Sequence, residues 1–343
     1  MEDVDVFNLT FEETNNIIRE RCERILEKFG QVAFLGVKNP KLLAALKDVK
    51  NYWRDYNRPC LTFFSCEAVG GSYEISQDAA LMFTLASSGF GIHDDILDKS
   101  RSKHLRMTIL GLHGIDTALL VGDLLIVKAW TIAQELIRKT DDPTRIADVL
   151  EVYGNLSVEI CEAEFMETQC RKKVDIDLEY YENVLWKEAA EIEACSRIGA
   201  MLGDGKPNEI EALSDFGRRL GFLSRLSDEI EDCLNLKGDL PHRIKYESMP
   251  LPLLYAARSS SSKRTKIEKI LNKKNISAKD ARALYEFCFE TRAFEYVNNL
   301  AKKKGEEAHS TLSVLQPSLS RTMLLGIIMQ ANARVEKLCA QKA

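Results

Sequence analysis

Apolar residues recur at helical spacing along most of this chain, with polar residues at the positions between them. In the first such segment Ile18, Cys22, Ile25 and Phe29 share one face of a helix. Alternation of apolar and polar residues, which would indicate a strand, never persists. The periodicity predicts helices over residues 11–29, 41–53, 59–69, 76–98, 115–138, 143–171, 178–203, 208–236, 249–258, 263–272, 278–302, 306–314 and 318–340.

Helix breakers are few and fall between these segments. The chain contains 8 prolines and 18 glycines among 343 residues, which favours long helices. Loops are expected around residues 70–71, 140–143 and 203–207 and at the serine run 259–262. Because no repeat and no clear boundary interrupts the pattern, we expect a single helical domain over residues 1–343.

The most apolar stretch, Ala118–Ile132, contains the charged residues Asp123 and Lys128. It is also shorter than the roughly 20 residues that a membrane-spanning helix needs. We therefore expect a buried core helix here and no integral membrane span.

Charge and cysteine content narrow the class of protein further. The net charge is −5, and no block of basic residues with interleaved aromatic residues occurs, so nucleic acid is not an expected partner. The 9 cysteines are odd in number, irregularly spaced and without a CxxC pair. This usage argues against a disulfide framework or a zinc site and favours the reducing cytoplasm.

Two acidic clusters end apolar helical runs, Asp94-Asp95-Ile96-Leu97-Asp98 and Asp228-Glu229-Ile230-Glu231-Asp232. In each, the first and last acids share one helical face, where like charges repel by roughly 0.2–0.5 kcal/mol. Beside apolar neighbours such carboxylates need a cation, and hard oxygen ligands select Mg²⁺, which shares its shell with phosphate oxygens. Two such faces across a cavity would hold a diphosphate through metal ions. For either cluster alone, a solvated helix end is the alternative.

On these residues the chain resembles the trans-isoprenyl diphosphate synthase (polyprenyl synthetase) family. Asp94–Asp98 matches the first aspartate-rich motif of that family, and Asp228–Asp232 is similar to the second, with Glu229 at a usual aspartate. Gly122-Asp123 and Lys187-Glu188-Ala189 resemble its Gly-Asp pair and Lys-Thr-Ala element. The resemblance implies an all-α fold, in which a bundle of long helices surrounds a deep apolar cavity (isoprenoid synthase type I), and a homodimer.

The resemblance also implies the roles of individual residues in ionising an allylic prenyl diphosphate. A set of about three Mg²⁺ ions would be held by Asp94, Asp95, Asp98, Asp228, Glu229 and Asp232. Of these, Asp94, Asp98 and Asp228 would be catalytic together with Lys187. The substrate would be bound by Lys103, Arg225, Arg243 and Lys245, with Gly89 and Phe90 beside its chain.

The pattern departs from the family where isopentenyl diphosphate, the second substrate of chain elongation, would bind. Arg58-Pro59 is kept. The cationic or histidine positions of the family are occupied by Asp55, Tyr56, Ser87, Lys103 and His104. One lost charge-assisted contact costs about 1.5–3 kcal/mol, so several together should abolish ordinary binding.

The first interpretation is therefore a class I terpene synthase on this scaffold, which needs no second diphosphate. The alternative is an elongating prenyltransferase that rebuilds the second site from Arg54, Arg58, Arg101 or Arg106. A third is a non-catalytic regulatory subunit, although such a partner is expected to have lost the metal-binding acids. Gly89, five residues before the first motif, should leave the substrate pocket open, while Phe90 would partly close it. We expect a substrate of farnesyl or geranylgeranyl length.

Overall fold

The computed structural model describes residues 11–103, 106–139 and 142–341. His104 and part of the expected loop 140–143 lie outside the described residues. Within them the chain is almost entirely helical, which confirms the predicted all-α class. The helices are α1 Phe11–Phe34, α2 Pro40–Tyr52, α3 Asn57–Ala68, α4 Tyr73–Leu97, α5 Ile109–His113, α6 Ile115–Lys139, α7 Pro143–Cys170, α8 Leu178–Glu188, α9 Ala190–Leu202, α10 Pro207–Leu234, α11 Asp239–Tyr246, α12 Leu251–Ser259, α13 Ser261–Leu271, α14 Ala278–Glu290, α15 Ala293–Thr311 and α16 Leu319–Ala340.

Some predicted boundaries are corrected by the backbone. The sequence predicts one helix over 278–302, whereas α14 ends at Glu290. The helix ends there because Arg292 adopts a left-handed conformation with φ 59°. The segment 178–203 is divided at Ala189, between α8 and α9. The sequence patterns missed α5, α11 and a short antiparallel hairpin of β1 Ser102–Lys103 and β2 Arg106–Met107.

Contacts within the chain divide it into two units. Unit 1 comprises residues 1–154, 194–214 and 312–326, and unit 2 comprises residues 155–193, 215–311 and 327–343. The single domain expected from the sequence stays a prediction. Inside the described ranges, no helix combines the length and the apolar character needed to cross a lipid bilayer.

The core of unit 1 is built around α4, which packs along α6 and α3. Its buried ring Phe83 meets Tyr153 edge-on, with ring centroids 6.0 Å apart, and Tyr153 in turn meets Trp130 at 4.9 Å. Such edge-to-face pairs stabilise a core beyond the area they bury. They fix α4 relative to α6, and α4 carries the first acidic motif.

The core of unit 2 surrounds α12, which packs against α8, α13, α14 and α15. The first turn of α14 is closed by a capping box, in which Ser277 and Asp280 satisfy each other's backbone N–H groups. The second acidic motif lies near the end of α10, and α11 follows it directly.

Candidate functional site

The first acidic motif occupies the last turn of α4 in unit 1. Asp95 and Asp98 are buried, with 5% and 7% of their surfaces exposed, while Asp94 is partly exposed. Lys103 in β1 places its Nζ 2.8 Å from Asp94 Oδ2 and 3.0 Å from Asp95 Oδ1. The ammonium group of Lys103 thus lies beside the carboxylates to which the resemblance assigns a divalent cation.

The pKa values in this cluster follow from burial and charge. Burial raises the pKa of Asp95 to about 6, although Lys103 works in the opposite direction. Burial lowers the pKa of Lys103, but Asp94 and Asp95 outweigh it and raise that pKa well above its usual value. The lysine is therefore charged, and it neutralises the motif rather than standing free for a substrate.

His93 links this motif to the Gly122-Asp123 pair of α6. Its Nε2 lies 3.3 Å from Leu119 O and 3.4 Å from Asp123 Oδ1. A side chain at Gly122 would collide with the His93 ring. The Gly-Asp pair therefore makes room for the histidine and gives it an acceptor.

The packing of α4 against α6 explains why residue 89 is a glycine, whereas the sequence predicted that Gly89 leaves the substrate pocket open. A Cβ atom added there would lie 2.8 Å from Gly122 O and 2.8 Å from the Ile126 side chain. The glycine lets α4 approach α6 closely, so its missing side chain is accounted for by helix packing. Phe90, the next residue, is partly exposed.

Exposed arginines surround the hairpin that follows the first motif. Arg54, Arg101 and Arg106 are exposed, and none forms an ion pair with a described residue. Burial raises the pKa of Tyr52 at the end of α2, and Asp95 raises it further. Lys103 and Arg106 of the hairpin lower the same pKa, so the end of α2 lies close to the hairpin. Arg54 donates to Lys50 O at 3.0 Å, and no described carboxylate neutralises any of the three arginines.

Two family positions that the sequence has changed are occupied by groups that are already engaged. Arg58 Nη1 lies 2.9 Å from Asp55 Oδ2, and the other oxygen of Asp55 accepts the Asn57 N–H at 2.9 Å. Ser87 is buried and donates to Thr84 O at 3.3 Å. Asp55 therefore neutralises the retained arginine, and Ser87 turns inward.

The second acidic motif lies in unit 2, and two of its acids are held by Arg243 from α11. Arg243 donates to Glu229 and to Asp232 through different nitrogens. Glu229 is only 2% exposed, and it also accepts from Tyr181 OH at 3.2 Å and from the Leu251 N–H. Burial raises the pKa of Glu229, whereas Arg243 lowers it.

This network engages two residues for which the resemblance implies other roles. Both oxygens of Glu229 are engaged within the protein, so its carboxylate stabilises this network, and its role as a metal ligand stays a prediction. Arg243 also donates to Tyr181 OH at 2.9 Å and to Ser248 O at 3.2 Å, so its guanidinium is engaged too. The sequence offered no signal for Tyr181 or Ser248, because neither belongs to a recognisable motif.

Asp228, by contrast, keeps the most open carboxylate of the motif. Its side chain is 44% exposed, and its nearest cation, Arg225 Nη2, lies 3.6 Å from Oδ2. Glu231 is turned toward Arg334, whose Nη2 lies 2.7 Å away. Asp228 is thus the acid of this motif best placed to take an external ligand.

The remaining predicted ligands of the substrate also lie in unit 2. Lys187, in the last turn of α8, lies 2.9 Å from Glu162 Oε2. Lys245 lies over the Tyr246 ring at 4.9 Å from its centroid. Both are partly exposed, so a phosphate could compete for either ammonium group.

The chemistry of the donors fits Mg²⁺. Across the described parts of the chain, no three His, Cys, Asp or Glu side chains are grouped so as to enclose a metal ion. Mg²⁺ seldom needs such a cage, since it keeps several waters and binds through one or two carboxylates plus substrate phosphates. The carboxylates of Asp94 and Asp98, four residues apart at the C-terminal end of α4, match this mode.

Comparisons with known proteins identify the family of this chain. A family model described as polyprenyl synthetase matches residues 45–288, and the chain belongs to this family. It is similar to the geranylgeranyl diphosphate synthase of Methanosarcina mazei, with 29% identity over 79% of this chain and 82% of the relative. It is also similar to a short chain isoprenyl diphosphate synthase of Methanothermobacter thermautotrophicus, with 29% identity over 78% of this chain and 82% of the relative.

Solved structures show the same fold. The geranylgeranyl pyrophosphate synthetase of Pyrococcus horikoshii superposes with a TM-score of 0.82 at 24% identity, over 97% of this chain and 99% of its own. A decaprenyl diphosphate synthase of Rhodobacter capsulatus reaches a TM-score of 0.82 at 19% identity, over 94% of this chain and 99% of its own. The predicted superfamily, the all-α type I fold and the enzyme class are thereby confirmed.

The same relatives bear on the choice between the interpretations. They are named geranylgeranyl diphosphate synthase and short chain isoprenyl diphosphate synthase, so they favour the alternative, a prenyltransferase, over the terpene synthase that was the first interpretation of the sequence. Enzymes of this family depend in general on Mg²⁺, which agrees with the predicted cofactor.

Proposed function

We propose that this protein is a short-chain prenyltransferase that condenses an allylic prenyl diphosphate with isopentenyl diphosphate, with a product of geranylgeranyl or farnesyl length. The observation that carries the proposal is its similarity, over about four fifths of both chains, to the geranylgeranyl diphosphate synthase of Methanosarcina mazei (79% and 82%). The acids for ionising an allylic diphosphate are all present.

The proposal assigns Mg²⁺ binding to Asp94 and Asp98 on α4 and to Asp228 on α10. Bound Mg²⁺ would stabilise the charge that develops on the departing diphosphate. Lys187 would bind a substrate diphosphate, exchanging Glu162 for a phosphate oxygen. Lys103 would keep Asp94 and Asp95 charged and ordered until the metal arrives.

The diphosphate of the second substrate would be bound by arginines that differ from those of the family pattern. Arg54, Arg101 and Arg106 are exposed in unit 1, and no described carboxylate neutralises them. Arginine suits this task because its planar donors match phosphate oxygens in pairs. A rebuilt site of this kind would explain how the chain elongates a substrate despite Asp55 and Ser87.

The terpene synthase remains a second candidate because of one observation. Asp55 places a carboxylate 2.9 Å from Arg58, the retained arginine of the second-substrate site. If that pair persists during the reaction, isopentenyl diphosphate loses an important ligand, and only ionisation followed by cyclisation or quenching would remain.

A product assay with Mg²⁺ separates the two candidates. Geranyl, farnesyl and geranylgeranyl diphosphate are each supplied with and without isopentenyl diphosphate, and extracts are analysed by mass spectrometry before and after phosphatase. Longer diphosphates that form only with isopentenyl diphosphate support the proposal. Hydrocarbons or alcohols released without it overturn the proposal in favour of the terpene synthase. Asp94→Ala should abolish the activity, and an unchanged activity would mean that the metal assignment is wrong. Asp148→Ala, at an exposed acid on α7, serves as its control.

We also propose that the protein acts as a homodimer through an apolar face of α6. Six large apolar side chains of this helix are exposed in unit 1: Ile115, Leu119, Leu120, Val127, Trp130 and Ile137. A contiguous face of this kind commonly marks an interaction surface. Sedimentation equilibrium tests the proposal, and Val127→Lys should shift the protein toward a monomer if α6 forms the interface.

A further inference from the structure

The charge of this protein is distributed unevenly. Residues 258–282 contain nine lysines and arginines but only two acids, a net charge of +7 in a chain whose total is −5. They cover the end of α12, all of α13 and the start of α14, and all of them belong to unit 2. None of the residues proposed for catalysis lies in this segment.

Some of these cations are neutralised locally. Ion pairs join Arg258 to Asp177, Lys263 to Glu290, Arg264 to Asp175 and Glu268, and Lys273 to Asp280. The others are Lys266, Lys269, Lys274, Lys279 and Arg282, which are all exposed. Within the described ranges these five have no carboxylate partner.

Helical spacing places these cations on the outer faces of their helices. On α13, Lys266 and Lys269 are three residues apart and point away from the buried Ile267 and Ile270. On α14, Lys279 and Arg282 are likewise three residues apart, at the start of the helix. Both helices therefore present charge to solvent and bury their apolar residues in the core of unit 2.

Apolar surface adjoins the same cations. Phe289 of α14 is 59% exposed and lies seven residues, about two turns, after Arg282 on the same helical face. Phe287 lies beneath two ammonium groups, at 5.3 Å from Lys263 Nζ and 5.7 Å from Lys266 Nζ. The surface thus carries an exposed ring, Phe289, on the helical face of Arg282, and a partly exposed ring, Phe287, beneath Lys266. Exposed rings combined with basic residues are the means by which peripheral proteins bind the surface of a membrane.

We propose that the basic face, defined by Lys266, Lys269, Lys274, Lys279, Arg282 and Phe289, docks unit 2 on an anionic phospholipid bilayer. The cations attract the anionic headgroups, and Phe289 enters the boundary between headgroups and acyl chains. Each lysine near such a surface strengthens binding by about fivefold. A single-stranded nucleic acid is the competing occupant, because it too would use cations and an exposed ring, and the competition experiment below decides between the two.

Docking of this kind would serve the proposed function without depending on it. A prenyl diphosphate of fifteen to twenty carbons is an amphiphile, so an enzyme at the bilayer would release its product where the product is soluble. Vesicle binding and prenyl transfer are measured separately. Loss of one therefore leaves the other interpretation intact.

Flotation of the full chain with vesicles tests the proposal. The vesicles contain either phosphatidylcholine alone or phosphatidylcholine with phosphatidylglycerol. We expect the protein to float with the anionic vesicles at low salt and to stay behind with the neutral ones. Salt of about 1 M, where the Debye length falls to about 3 Å, should release it. Equal flotation with both vesicle types, or with neither, would overturn the proposal.

A matched pair of variants locates the binding surface. Lys266→Glu combined with Lys269→Glu and Lys274→Glu should lower partitioning to anionic vesicles by more than tenfold, and Phe289→Ser should lower it about threefold. The control combines Lys38→Glu, Lys41→Glu and Lys47→Glu, which makes the same charge change on exposed lysines of unit 1. If the control loses binding equally, net charge and not this face is responsible, and the proposal fails.

Two further measurements exclude misfolding of the variants and binding of nucleic acid as explanations. Circular dichroism verifies that each triple variant folds, and Lys→Gln at the same three positions replaces the Lys→Glu variant if it does not. Competition with single-stranded RNA completes the test. If RNA binds the basic face more tightly than anionic vesicles do, the surface is a nucleic-acid site and the membrane proposal is wrong.

Discussion

Arg243 donates a charge-assisted hydrogen bond to Glu229, and this pair joins the second acidic motif to the segment that follows it. Through its other terminal nitrogen the same guanidinium binds Asp232. Two acids of the motif are thus neutralised from within, while Asp228 stays open. The motif therefore combines one acid for an external cation with two acids that stabilise the fold around it.

The first prediction concerns the stability of this network. Arg243→Met leaves Glu229 buried without its countercharge, so we expect the free energy of unfolding to fall by about 3–5 kcal/mol in urea titrations. Adding Glu229→Gln should restore a large part of the loss, since the unpaired charge is then removed. Arg282→Met, at an exposed arginine, should change the free energy by less than about 0.5 kcal/mol. If Arg243→Met alone were as stable as the wild type, the structural role of Arg243 would be contradicted.

The second prediction separates the acids of the motif by function. Asp228→Asn should lower kcat roughly 100- to 1000-fold, as expected for the loss of a group that stabilises charge in the transition state. Asp232→Asn should lower it less, because Arg243 already occupies this carboxylate. Steady-state rates at varied Mg²⁺ concentration give the comparison. Binding of Mg²⁺ with inorganic diphosphate, followed by calorimetry, provides a readout independent of turnover. Equal losses for both variants would show that Asp232 is a metal ligand after all.

The third prediction tests why residue 89 is a glycine. Gly89→Ala pushes a methyl group against Gly122 O, and such overpacking costs about 1–3 kcal/mol in the free energy of unfolding. Gly154→Ala on α7 meets no atom within 4 Å and should instead stabilise the protein by about 0.5–1 kcal/mol. Thermal unfolding of the two variants measures the contrast. If Gly89→Ala were as stable as the wild type but made shorter products, residue 89 would line the substrate pocket as the sequence suggested.

The sequence predicted most helices because their apolar faces repeat with a regular period, as along α4 and α10. It also identified both acidic motifs, since local spacing alone puts their first and last acids on one face. The sequence could not predict hydrogen-bond partners that are distant along the chain. Glu229 and Arg243 are 14 residues apart, and Tyr181 lies 48 residues before Glu229. Gly89 likewise acquires its meaning only from α6, which packs against it.

Glu188 offers a separate test, one that depends on pH. It is the last residue of α8 and follows Lys187, at the position where the resemblance places a threonine. Burial raises the pKa of Glu188 to about 8, and the charges of Glu164, Glu229 and Glu167 raise it while Arg225 lowers it. The carboxyl group is therefore protonated in the folded protein at neutral pH.

The fourth prediction follows from this difference between the folded and unfolded states. The unfolded chain releases the proton of Glu188 near pH 4.5 and the folded chain near pH 8, so stability present below pH 4.5 is lost progressively as the pH rises to 8. Glu188→Gln cannot ionise, so its free energy of unfolding should exceed that of the wild type by on the order of 3 kcal/mol at pH 8.5 and match it at pH 4.5. Urea titrations across this range measure the difference, with Glu179→Gln, an exposed acid of α8, as the control. A difference that does not change with pH would mean that Glu188 is ionised in the folded protein, held by Arg225.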